Sequence, residues 1–410
     1  IFMMHSGGGI ISVETAIEQP IRLLESGPAG GAIYAAGYAG NHAIEKALSF
    51  DMGGTTAKIC MIDKGMPKSA STFETARSYR FKKGSGITVS TPVVEMVEIG
   101  AGGGSIASID KLGCIQVGPK SAGSDPGPAC YQNGGNSATV TDANLIIGRL
   151  DKDRFAGGSI PLAPHLSAAA IEQEISQLLN LPIMDAAHGI TEIVDENMAN
   201  AARVHTIEHG EDIEKFTMIA FGGGAPLHAS RLCEKLGIKR ILIPPGAGVG
   251  SAIGFLRAPF SYEATRGFYQ TLGIFNNEAV NKMLDGLEDE ATSFVLEGVG
   301  VSDTTKQLRV FMRYAGQGWE IPVLPDVTRF EVADVFHLRA CFEKTYRNLF
   351  GRTINGLDIE ITNWSFTIST TVCPPDVIPK SESQQIAKLK SECKLFDSST
   401  KGVLKTSKVQ

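Results

Sequence analysis

Asp51-Met52-Gly53-Gly54-Thr55-Thr56 brings together a carboxylate, two glycines and two hydroxyls in one short run. A carboxylate at a strand end followed by such a turn can hold a metal-bound water and offer backbone N–H groups to phosphate. It is not a Walker A loop, because no Gly-Lys-Ser/Thr follows and the chain continues extended. The spacing alone also describes a Gly-Gly hairpin with a capping Asp, so both readings stand at this point. Ser26-Gly27-Pro28-Ala29-Gly30-Gly31 precedes a small-residue helix over 32–39, a place for an anion or for plain capping. Phe221-Gly222-Gly223-Gly224-Ala225-Pro226-Leu227-His228 lies between a buried strand and a helix. Glycines there let a flat ring or a phosphate lie against the backbone, or let the helix pack closely on the sheet.

Asp125, Asp142, His205, His209 and His228 are the candidate acid–base or metal groups. His205 and His209 stand four apart on a predicted helix and share a face, as paired Zn2+ ligands would. Glu208 is not where a zincin places its glutamate, and histidines near a helix C-terminus also satisfy its last carbonyls. Cys130 sits in a glycine-rich loop, as a nucleophile or as a packed thiol.

The elements that must position these groups follow from the pattern. Residues 47–63 read as strand, turn, strand, and 93–109 as strand, glycine loop, strand. Residues 118–136 are almost all turn formers and read as a long ordered loop. Extended residues 138–140 lead into a helix from 141 or 142, and 165–210 carry helical spacing that ends at Gly210. Then come a strand over 216–221, a helix over 227–236 ended by Gly237, and a strand over 240–243, the βαβ rhythm of a parallel or mixed sheet. Beyond 260 the predicted order is helix (276–299), two strands (307–314 and 319–323), helix (332–349) and strand (359–370). The end, from about 379, reads as peripheral with a weak helix at 384–393.

The chain has 410 residues, 46 of them Gly, 43% hydrophobic and 20% charged, with a net charge of −6. That length fits two to three packed units, and the composition excludes a disordered chain. A mildly negative charge without long Lys/Arg runs argues against nucleic acid as a partner. No apolar run reaches the roughly 18 residues of a membrane span. Seven cysteines without a CxxC pair point to a reducing, cytoplasmic setting. The opening Ile1-Phe2-Met3-Met4 reads as a strand already in progress, so the expectation is an excerpt of a longer polypeptide.

With these residues in hand, the chain resembles the hydantoinase A / 5-oxoprolinase family. The likeness runs in order through Ser26–Gly31, Phe50-Asp51-Met52-Gly53-Gly54-Thr55-Thr56, Glu98-Ile99-Gly100-Ala101-Gly102-Gly103-Gly104-Ser105 and 117–131. It continues through Thr139-Val140-Thr141-Asp142-Ala143-Asn144, Phe221 to His228, the Pro244 to Gly254 block and Tyr314-Ala315-Gly316-Gln317-Gly318. The resemblance implies an α/β, actin-like ATPase (ribonuclease H-like) fold over 1–260, a C-terminal α+β domain over 261–378 and a tail at 379–410. It implies ATP with Mg2+ or Mn2+: Asp51 holding the metal, Gly53, Gly54, Thr55 and Thr56 binding phosphate, and Gly222, Gly223 and Gly224 facing the nucleotide. Asp125 and Cys130 then fall in loops that shape the substrate region.

Two departures from the family pattern stand out. An N-terminal Asp-Gly-Gly-Thr phosphate loop of the family is absent here, and Lys58 stands where many members carry Asp. The implied function is a subunit or fragment of an ATP-dependent cyclic amide or imide hydrolase. Such an enzyme activates hydantoin, 5-oxoproline or a similar cyclic amide by phosphorylation, beside a B-type subunit. The alternatives are an ATP-dependent ketone carboxylase subunit and a non-catalytic remnant that binds nucleotide or a partner.

Overall fold

The computed structural model describes residues 1–70, 72–75, 84–89, 91–299, 303–371, 389–397, 400 and 402–409. Two compact units interleave along the sequence. Ile1–Ile33, Ser69–Val94 and Gly254–Cys373 form one; Tyr34–Lys68, Glu95–Ile253 and Pro374–Gln410 form the other.

Alternation of side chains along two adjacent strands builds the second of these units. Helix α1 (Ser26–Asn41) leads to β1 (Lys46–Met52), which turns through residues 53–56 into antiparallel β2 (Ala57–Asp63). Leu48, Phe50, Met52, Ala57, Ile59 and Met61 point to one face, and Ala47 and Ile62 to the other. Strand β3 (Met96–Ile99) pairs antiparallel with β2. After helices α2 (Val140–Ile146) and α3 (Ile183–Glu208), β4 (Thr217–Phe221) enters beside β1 and parallel to it. Helix α4 (Ala225–Leu236) then leads to β5 (Ile241–Leu242), parallel to β4. The sheet order is β3-β2-β1-β4-β5, with β2 antiparallel to its neighbours. This is the ribonuclease H-like arrangement of the actin-like ATPase fold.

Each face is covered. Ala186, Ile190, Val194 and Met198 of α3 and Leu232 and Leu236 of α4 bury one; Tyr34, Ala35, Tyr38 and Ala39 of α1 bury the other. Helix α1 begins at Ser26, so the Ser-Gly-Pro-Ala-Gly-Gly block forms its first turns instead of a loop before it. Pro28 explains this, since proline fits the opening turn of a helix, where its missing N–H costs nothing.

The other unit holds a four-stranded antiparallel sheet, expected from the sequence except for its first strand. Strand β6 (Ser261–Thr271), helix α5 (Asn277–Val299), β7 (Thr304–Tyr314), β8 (Ile321–Val323), helix α6 (Asp334–Phe350) and β9 (Ile359–Thr370) follow in order. The sheet order is β6-β9-β7-β8. Its core gathers Tyr262, Leu284, Val310, Phe342, Trp364 and Phe366. The Trp364 indole N–H donates to the Phe268 carbonyl at 2.8 Å.

The expected helix over 384–393 is corrected. Residues 384–388 lie outside the described ones, and Leu389–Asp397 is a strand, β10, paired with β11 (Gly402–Val409). The N–H of Phe396 donates to the Ile147 carbonyl at 2.9 Å, and its ring lies 4.9 Å from that of His188. Cross-strand pairing overrides a weak helix propensity here.

Among the described residues no helix is long and apolar enough to cross a membrane.

Candidate functional site

Ligands of open α/β sheets bind outside the carboxyl ends of the parallel strands. Three glycine turns lie at that end of the second unit. The first is the 53–56 tip of the β1–β2 hairpin, closed by the Gly53 N–H donating to the Thr56 carbonyl at 3.1 Å. A Cβ added at Gly53 or Gly54 would meet no atom within 4 Å, and no acceptor meets the N–H of Gly54 or Thr55 among the described residues. The tip is therefore open beside Gly53 and Gly54, while the Gly54–Thr55 peptide is covered on one side by Gly102.

The second turn, residues 100–104, leans directly on the first. Gly103 N–H donates to Gly53 O at 3.0 Å and Gly104 N–H to Gly54 O at 2.7 Å. A Cβ at Gly102 would sit 2.6 Å from Gly54 O and Thr55 N, so only glycine allows this approach. The brace continues outward. Ala122 N–H donates to Gly104 O at 2.8 Å, and Thr141 donates to Gly103 O through both its N–H (2.7 Å) and its hydroxyl (2.8 Å).

The third turn, residues 222–224, follows β4, whose last residue, Phe221, pairs with Asp51. Gly224 N–H donates to Met52 O at 2.8 Å. At the junction sits Asp51, whose Oδ2 accepts from the Ser251 hydroxyl at 2.9 Å. Burial pushes its carboxyl above the ordinary value, opposed by the Ser251 hydroxyl and the Lys58 ammonium. Ser251 is a site residue that the sequence reading missed, because it lies 200 positions from its partner.

A nucleotide-bound Mg2+ takes one or two protein carboxylates, phosphate oxygens and water. Asp51 fits that role, with Oδ2 oriented by Ser251 and Oδ1 against the glycine turn, where a side chain at 222 would overlap it. Among the described residues no group of three His, Cys, Asp or Glu side chains could hold a metal, so the site offers a carboxylate and not a closed protein cage.

Asp51, Gly53, Gly54, Thr55, Thr56, Gly222, Gly223 and Gly224 are thus brought together, and the other candidates are placed elsewhere. Asp125 stands exposed on the loop that reaches Gly104 through Ala122. Cys130 is corrected: it is fully buried, and burial, with the Asp142 carboxyl beside it, pushes its thiol up and away from thiolate. It is a packed thiol. Asp142 is a buried hub; it accepts from the N–H groups of Ala129, Cys130 and Thr139 and from the hydroxyls of Thr139 and Ser167.

His228 is fully buried as well. Its Nδ1 lies 2.6 Å from Asp195 Oδ1 and its Nε2 3.0 Å from Asn144 Nδ2, a clasp joining α4, α3 and α2.

The His205 and His209 pair does not converge on a metal. His209 places Nδ1 2.7 Å from the His205 carbonyl and Nε2 3.0 Å from Glu95. The Glu95 contact raises the pKa of His209. Burial, helped by His209, lowers that of His205 to about 4. A neutral folded His205 stabilises fully above the unfolded value of 6.5 and progressively less as pH falls toward 4. His205→Leu is therefore expected to remove about 1–2 kcal/mol of the stability lost between pH 6.5 and 5, read by urea melts. An unchanged pH slope would sink that assignment.

The sheet order and the three glycine turns at its strand ends define an α/β protein of actin-like ATPase fold. Comparison with known proteins then fixes the family. The hydantoinase/oxoprolinase family model matches residues 1–264, and the chain belongs to that family. An uncharacterised protein of Methanocaldococcus jannaschii is 36% identical over 92% of this chain and 54% of its own length. The caprolactamase alpha subunit of Pseudomonas jessenii is 32% identical over 88% of this chain and 51% of its own. A nucleotide-free structure of acetone carboxylase, from work on ATP-dependent acetone carboxylation, superposes with a TM-score of 0.76 at 25% identity, covering 99% of this chain and 58% of that one. The chain thus spans about half the length of the curated relatives it matches.

Proposed function

We propose that this chain is the nucleotide-handling part of an ATP-dependent enzyme that activates a cyclic amide or imide carbonyl by phosphorylation, working beside a B-type subunit. The observation that carries the reading is the Asp51 carboxylate, fixed by Ser251 at the meeting point of three glycine turns. In this reading the N–H groups of Gly54 and Thr55 and the hydroxyls of Thr55 and Thr56 hold the terminal phosphates, and Gly222, Gly223 and Gly224 lie against the nucleotide. Asp51 holds Mg2+, which supplies neutralisation of phosphate charge. The exposed Asp125 stands as the acid–base candidate on the substrate side.

The chemical logic is that an amide carbonyl is a poor electrophile and its nitrogen a poor leaving group. Moving the γ-phosphoryl group of ATP to the carbonyl oxygen, with ADP leaving, makes the carbon electrophilic enough to add water. The ring C–N bond then breaks, the nitrogen taking the proton of the added water, and a second water hydrolyses the acyl phosphate to carboxylate and phosphate. The hydantoinase/oxoprolinase family match and the likeness to a caprolactamase subunit support this reading. The structural likeness to acetone carboxylase supports the ketone carboxylase as the second reading.

The test uses the assembled enzyme and measures phosphate release with hydantoin, 5-oxoproline or a lactam. Turnover stimulated by one of these is expected, with Asp51→Asn at least 100-fold slower and assembly intact. Full activity of Asp51→Asn would remove Asp51 from the mechanism. Turnover that needs a ketone and bicarbonate would instead assign a carboxylase.

A further inference from the structure

We propose that Lys58 is a phosphate-contacting residue of this site, an ammonium that leaves Glu98 to meet a nucleotide phosphate. The proposal rests on the reading of residues 51–56 as the phosphate hairpin.

The strand registers place three charges in one row. Asp51 of β1 pairs directly with Lys58 of β2, and Lys58 with Glu98 of β3. Directly opposed residues share a face of the sheet, so negative, positive and negative groups stand side by side. Lys58 Nζ lies 3.5 Å from Glu98 Oε1, and the two side chains are 27% and 46% exposed. An ion pair so open to water contributes little and breaks readily.

Lys58 is two residues from Thr56, about 7 Å along the strand from the hairpin tip, within reach of a four-carbon stem. A triphosphate beside the Asp51 carboxylate concentrates negative charge that one Mg2+ does not cancel. A lysine is the compact point charge suited to the remainder. Its resting partner also has meaning. Glu98 ends two residues before the 100–104 turn, which hydrogen-bonds Gly53 and Gly54. The ion pair therefore spans the stems of the two loops that meet at the phosphate tip.

The test is titration calorimetry of Mg-ATP into the full-length protein at several salt concentrations, for the parent, Lys58→Met, Lys58→Arg and Glu98→Gln. The expected results are at least tenfold weaker binding and a shallower salt dependence for Lys58→Met, binding within threefold of the parent for Lys58→Arg, and equal or tighter binding for Glu98→Gln. Thermal melts without nucleotide should be unchanged, which separates lost contact from lost fold. Lys58→Met binding within twofold of the parent overturns the proposal while leaving the hairpin reading intact. Glu98→Gln weakening as much as Lys58→Met also overturns it, because the pair would then act by holding the loops. A parent that takes up no Mg-ATP overturns the hairpin reading and this proposal with it.

Discussion

Replacing Asp142 by alanine is expected to destabilise the protein by about 3–5 kcal/mol, the range seen when a buried polar partner is removed and its neighbours are stranded. Asp142 is fully buried, and its two oxygens accept from Ala129 N–H (3.2 Å), Cys130 N–H (2.9 Å), Thr139 N–H (3.1 Å), Thr139 Oγ1 (2.6 Å) and Ser167 Oγ (2.6 Å). Alanine leaves all five donors facing a void. Asn keeps the volume but turns a donor toward donors, so Asp142→Asn should cost about 1–3 kcal/mol. Urea denaturation measures both, and an Asp142→Ala loss under about 1 kcal/mol would show that water replaces the carboxyl. The damage should travel. The loop that Asp142 fastens reaches Gly104 through Ala122, and Gly104 braces the Gly54 carbonyl. Nucleotide affinity is therefore expected to fall along with stability.

The parts of this arrangement written locally are legible in the sequence. Asp51, the Gly53-Gly54 turn and the 100–104 loop are marked by glycines interrupting strand alternation, and Gly237 marks the end of α4 with a left-handed φ of 72°. The parts that depend on distant pairing are not. Nothing near residue 51 says that β4 will lie beside it, or that Ser251 will orient its carboxylate. The spacing of His205 and His209 does put their rings together, 4.9 Å apart, but Glu95 decides what they do, and it comes from another segment. A glycine-rich loop leaves Cys130 open to both readings, a nucleophile and a packed thiol; the distant Asp142, which takes the Cys130 N–H, and the packing around it make it the buried one. Asp195 was readable in principle. It follows Val194 on a helix whose core spacing runs Ile190, Val194, Met198, and a carboxylate at the edge of such a stripe needs a partner, which His228 supplies. Strand β6 escaped because Glu263, Thr265, Arg266 and Gln270 hide its alternation within a sequence that antiparallel partners select.

Alanine at Gly222 and at Gly223 should differ sharply in its effect on stability, although the two are adjacent. Gly222 has a φ of +91°, which a residue with a Cβ adopts at a cost of about 1–2 kcal/mol. A Cβ there would overlap Asp51 Oδ1 and lie 2.6 Å from Met52 O. The backbone cannot yield without breaking the 2.8 Å bond from Gly222 N–H to Ala247 O. Gly222→Ala is therefore expected to lose about 3 kcal/mol or more in urea melts, and to displace the carboxylate so that Mg-ATP affinity falls at least 100-fold. At Gly223 a Cβ meets no atom within 4 Å and φ is not in the left-handed range. Gly223→Ala should leave stability within about 0.5 kcal/mol of the parent. If the nucleotide lies against this turn, the added methyl occupies its space, and affinity falls at least tenfold with the fold unchanged. That pairing separates the two duties of the turn: position 222 shapes the carboxylate's surroundings, and position 223 faces the ligand. A Gly223→Ala protein that binds Mg-ATP within twofold of the parent would take the turn off the nucleotide surface, whatever Gly222→Ala does.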